Sequence, residues 1–104
     1  MSITKLDCLN TDVRIQRYCY NHKIMVNVEA HVKSFDGNKE GIGVIVQRMK
    51  QGGHSAMYVI TPKEMVDTNL KFEDFLFELI VEMERQITQS EKESQNNGKR
   101  IILN

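Results

Sequence analysis

From Ile24 to Lys33 the chain alternates strictly. Ile24, Val26, Val28, Ala30 and Val32 take one side, and Asn27, Glu29, His31 and Lys33 the other. Side chains of a strand point to opposite faces in turn, so this period of two predicts a half-buried antiparallel strand over about Lys23 to Phe35. A chain holding such a strand must build a sheet and bury one face of it. Asp36-Gly37-Asn38 follows with turn chemistry, because Gly and Asn tolerate positive φ. A second strand is expected from about Ile42 to Met49, with Ile42, Val44 and Val46 inward, and a third from Ser55 to Ile60 after the turn Gln51-Gly52-Gly53-His54. Upstream, Asp12 to Tyr20 places Val13, Ile15 and Cys19 on alternate positions. That stretch reads as a further strand entering the long one through a turn at Asn21-His22, with Ile3 to Leu9 as a short extra strand or an extension.

The period then changes. Thr61 is a good N-cap, Pro62 fits the first helical position, and Glu64 completes a capping box three residues on. Ile60 and Met65 stand at the two positions of a hydrophobic staple. The helix should be short, because Val66-Asp67-Thr68-Asn69 is a run of poor helix formers. A long helix over about Lys71 to Glu91 follows. Phe72, Leu76, Leu79, Ile80, Met83 and Ile87 recur at spacings of three and four and form its core stripe, which Phe77 and Val81 widen. The fold class implied is α+β: an antiparallel meander of four or five strands, then a short and a long helix packed on one face of the sheet. One domain over residues 1–92 accounts for this. Residues 93–104 form a polar linker, with Lys99 to Leu103 as a tail or an edge strand.

Chemistry is less legible. The 104 residues carry 14 basic and 14 acidic side chains, so no overall charge attracts nucleic acid or an anionic membrane. No apolar run approaches the roughly 18 residues needed to span a bilayer, and none follows Lys5 as a signal peptide would require. A cytoplasmic location is therefore expected. Cys8, Cys19, His22 and His31 are metal-ligand types, but only Cys19 and His22 are closely spaced, whereas structural zinc uses two tight pairs. Neither cysteine begins an expected helix, so neither is marked as a nucleophile for His22, His31 or His54. Phosphate-loop, nucleophile-elbow and metalloprotease spacings are missing from the sequence. Glu40 to Val46 has Ile42 and Val44 where a base-stacking strand needs aromatic side chains. Met25, Met49, Met57, Met65 and Met83 suit an adaptable pocket, but suit a plain core better. No enzyme, metal or cofactor is expected.

The charge is unevenly spread. Residues 1–50 hold eight Lys/Arg against five Asp/Glu, and residues 71–93 hold three against seven. Asp74, Glu78 and Glu82 form an i, i+4, i+8 acidic stripe, whose like charges oppose one another unless something positive faces them. With Phe77 and Val81, that stripe is the expected partner-binding surface of a protein-interaction or accessory regulatory protein, itself a homodimer. The alternative is nucleic-acid binding through a basic sheet patch of Arg14, Arg17, Arg48 and Lys50, since backbone contacts need only local charge.

Overall fold

The computed structural model describes residues 12–34, 36–93 and 100–103. Their elements run α1 (Val13–His22), β1 (Ile24–Lys33), β2 (Glu40–Arg48), β3 (Ser55–Ile60), α2 (Pro62–Asp67), α3 (Phe72–Glu93) and β4 (Arg100–Ile102). The sheet has the order β1-β2-β3-β4. Its first two pairings are antiparallel and the last is parallel. The α+β class, the sheet and the long C-terminal helix are as the sequence implied. The fourth strand realises the edge-strand reading of Lys99 to Leu103 over Arg100–Ile102, but it pairs parallel, where a purely antiparallel meander was expected. It comes from the C-terminal segment, laid beside β3 after the crossover through α2 and α3 that a parallel neighbour requires. The stretch Ile3 to Leu9, with Cys8, lies outside the described residues, as does Phe35.

The segment read as a strand from Asp12 to Tyr20 is the helix α1. The Asp12 carboxylate accepts hydrogen bonds from the backbone N–H of Arg14 at 2.9 Å and of Ile15 at 3.4 Å, a side-chain cap on the first turn. Ile15, Tyr18, Cys19 and His22 then recur at i, i+3, i+4 and i+7, and Ile15, Tyr18 and Cys19 pack on the core. The alternation that suggested a strand breaks at once: Ile15 is 1% exposed and Val13 58%. Lys23 ends the helix in the left-handed region, φ 55, with its N–H directed at the carbonyls of Cys19 and Tyr20.

In β1 a bulge separates Glu29 from Val32, and His31 adopts φ 62 within it. The extra residue changes the face that later side chains take. Ile24, Val26 and Val28 therefore lie toward the core, whereas Val32 stands on the opposite face over Gly43, contrary to the uninterrupted alternation expected. A Cβ on Gly43 would come within 2.9 Å of a Val32 methyl. Gly41 is tighter still, since a Cβ there would sit 1.9 Å from the Ile60 carbonyl oxygen.

The helices cover one face of the sheet. Leu76, Ile80, Met83 and Ile87 on α3 are fully buried against Val44, Val46, Ala56 and Ile60. Burial of about 1.5–3 kcal/mol for each large side chain drives this layer together. At α2 the capping box forms as the sequence indicated: Thr61 Oγ1 accepts from the Glu64 N–H at 3.2 Å, and the Thr61 N–H donates to Glu64 Oε1 at 3.1 Å. The Tyr58 hydroxyl also donates to Glu64.

Candidate functional site

Arg48 ends β2 beneath the two longer helices, and every nitrogen of its guanidinium is engaged. Nε donates to Glu91 Oε2 at 3.0 Å, and Nη1 donates to the carbonyl of His22 at the end of α1. Nη2 reaches Glu84 Oε2 and Glu91 Oε1, each at 3.0 Å, and Thr88 Oγ1 at 3.1 Å. The Thr88 hydroxyl donates to Glu84 at 2.8 Å, and Tyr18 closes the network with a 3.2 Å bond to Glu84 Oε1. Hydrogen bonds to Glu91 and Glu84 push the Arg48 pKa up against the opposing effect of burial. Burial disfavours the Glu84 carboxylate, but hydrogen bonds from Thr88 and Arg48 outweigh it and hold the group below its ordinary range. Burial, with Glu84 beside it, raises Tyr18 to about 12.

The other residues of the expected basic patch are not on the sheet. Arg14 and Arg17 lie on α1, and Lys50 lies in the turn after β2. Arg14 bridges Asp12 and Asp74, both at 2.8 Å. Its guanidinium also stands 5.2 Å from the centre of the Phe77 ring, which meets Tyr18 edge-on at 5.9 Å. The extra apolar width of α3 at Phe77 is thus covered by α1, and Val81 is half-buried. Along the acidic stripe, Asp74 faces Arg14 and Glu82 pairs with Arg85 at 3.1 Å, while Glu78 is exposed.

Of the soft ligand types, Cys19 is half-buried and its thiol is pushed up by burial. His22 stacks on Tyr18 at 3.9 Å between ring centres, with Nδ1 at 3.0 Å from the Tyr18 carbonyl oxygen. His31 sits in the bulge of β1. His54 is buried, and among the described residues neither of its ring nitrogens has a hydrogen-bond partner. Among the described residues no three His, Cys, Asp or Glu side chains gather as a metal site would require, and no helix is long and apolar enough to cross a membrane.

The most available surface is one that sequence reasoning passed over. Strand β1 closes the sheet on one side, and among the described residues nothing pairs with its outer edge. At its start lies a shallow cleft of about 530 Å³ lined by Cys19, Tyr20, Asn21, Lys23, Ile24 and Met49. Tyr20 is 84% exposed there with Met49 exposed beside it, and Met25 is exposed on the other face of β1. Once Asp12 is read as a cap, the helical face of α1 leaves Tyr20 pointing out, which is the signal that was available. A second, smaller cleft of about 200 Å³ lies between α2 and α3, lined by Met65, Thr68, Leu70, Phe72 and Phe75. Comparison of the chain with protein-family models, with curated proteins and with solved structures returned no match.

Proposed function

We propose that this chain is a small, non-enzymatic protein-interaction module that works as a homodimer in an accessory or regulatory role. The observation that carries the reading is the edge of β1, unpaired among the described residues, with Tyr20, Met25 and Met49 exposed near it. An unpaired strand edge next to apolar side chains is a template for another chain. A raised thiol pKa at Cys19 disfavours the thiolate that nucleophilic chemistry needs, which supports the non-enzymatic part. The phosphate-binding alternative is weakened because Arg48 is committed to Glu84 and Glu91, and Arg14 to Asp12 and Asp74. Arg17 and Lys50 are the exposed remainder of that patch.

Size-exclusion chromatography with light scattering, recorded at two ultraviolet wavelengths, tests the reading. A dimer with a protein-like absorbance ratio supports it. A monomer at every concentration overturns the homodimer. Nucleic acid that co-elutes and is released by added salt turns the assignment to the phosphate-binding alternative.

A further inference from the structure

The open edge of β1 also carries information about its occupant. In an antiparallel ladder, successive residues turn their backbone groups alternately toward one neighbour and the other. The Met49 N–H donates to the Lys23 carbonyl, and the pairing continues with Met25 opposite Gln47, Asn27 opposite Ile45 and Glu29 opposite Gly43. The odd-numbered residues of β1 therefore bond to β2. The N–H and C=O groups of Ile24, Val26 and Val28 point away from the sheet.

That regular edge has defined limits. Lys23, in the left-handed cap, marks its start, and the bulge after Glu29 marks its end. Between them the edge has no proline and no bulge to interrupt pairing. The segment from Lys23 to Glu29 has its midpoint at Val26.

We propose that β1 pairs antiparallel with β1 of a second copy of this chain, with the two-fold axis at Val26. This rests on the homodimer reading above and specifies its interface. In that register Val26 faces the partner's Val26 and Ile24 faces the partner's Val28, which joins the outward backbone groups through about six hydrogen bonds. Met25 falls opposite the partner's Asn27. At each end Lys23 falls opposite the partner's Glu29, so the only two charged side chains of the segment form two equivalent ion pairs. Shifting the axis to Val28 would set Lys23 against the partner's Lys33, and shifting it to Glu29 would oppose two carboxylates. Charge thus selects the same centre as the limits of the regular edge. The partner's Val28 also arrives beside Ile24, which lines the cleft of Cys19, Tyr20 and Met49. The two sheets become one of eight strands.

The test is light scattering across a concentration series on the intact chain and four variants. Glu29→Lys puts like charges opposite each other twice, and should raise the dimer dissociation constant about tenfold or more. Lys23→Glu should do the same. The double variant Lys23→Glu/Glu29→Lys restores both pairs with their signs exchanged and should bring the constant back to within about threefold of the parent. Val26→Pro removes an outward donor that β2 does not use. It should give a monomer whose circular dichroism and melting match a folded sheet. A parent chain that is monomeric throughout overturns both this pairing and the homodimer. A parent dimer that Glu29→Lys and Val26→Pro leave intact overturns the β1 pairing alone. Loss of the dimer in Glu29→Lys without recovery in the double variant overturns the register.

Discussion

Replacing Arg48 by methionine keeps an unbranched apolar stem and removes the guanidinium with its charge. The cost follows from what is left behind. Glu84, 9% exposed in its side chain, loses its only ion-pair partner among the described residues, while Glu91, 22% exposed, is closer to solvent. Breaking a buried pair typically costs about 3–5 kcal/mol, and Glu84 belongs near the lower end of that range because water reaches it in part. Glu91 adds at most about 1 kcal/mol. The His22 carbonyl loses its Arg48 donor at the mouth of the network, for about 1 kcal/mol more. The sum, about 4–5 kcal/mol, is a large fraction of the roughly 5–15 kcal/mol that holds an ordinary domain folded. Urea denaturation followed by far-ultraviolet circular dichroism reads it directly. Adding Glu84→Met should restore at least about half of the loss, because it removes the more buried of the two stranded carboxylates and leaves only Glu91, which water reaches. A single variant within about 1 kcal/mol of the parent, or costs that simply add in the double variant, would refute the claim that these groups act as one network.

Alkaline stability should depend on two phenols. Burial, with Glu84 and Glu64 respectively beside them, raises Tyr18 and Tyr58 to about 12 from the ordinary 10. Their contribution is whole below pH 10 and is lost as pH rises through about 12, since the unfolded chain gives up these protons first. Melting temperature measured across that window should fall, and should fall less in Tyr18→Phe and Tyr58→Phe; an unchanged slope in both variants would contradict this. Gly41→Ala should destabilise by about 3 kcal/mol, because its Cβ would meet the Ile60 backbone oxygen at 1.9 Å. Gly37→Ala, with open space around it and only a φ of 79 to accommodate, should cost about 1 kcal/mol. Thermal melts that reverse this order would count against the close approach of β2 and β3.

Where side chains follow a single local period, the sequence was legible. β3 and the capping box of α2 fall where Ser55 to Ile60 and Thr61 to Glu64 indicated, and the ends of β1, β2 and α3 lie within about two residues of those read from the periodicity. α1 was misread because Val13, Ile15 and Cys19 alternate while Ile15, Tyr18, Cys19 and His22 also satisfy the helical period. In ten residues the two patterns overlap, and Asp12 as a cap decides between them. The bulge in β1 was invisible because Ala30-His31 contains none of the residues that ordinarily mark one. The candidate surface was hidden for a different reason. Which strand lies at the edge depends on the whole topology, and the commitment of Arg48 depends on partners 36 and 43 positions away in sequence. One trace was present: Glu84 follows Met83 on the apolar stripe of α3, and a carboxylate there implies a buried cation.

Arg48 has a consequence for how the molecule opens. By donating to the His22 carbonyl it serves as a C-terminal cap for a helix formed 26 positions earlier in the chain, while the same guanidinium grips the second half of α3. A helix of ten residues has little tendency to persist in water by itself. The last turn of α1 is therefore tied to β2, and fraying there gives up one arm of the guanidinium that also holds Glu84 and Glu91. Amide hydrogen exchange should find α1 and the turns of α3 from Glu84 to Glu91 sharing one opening free energy, a single cooperative unit assembled from two separate stretches of chain.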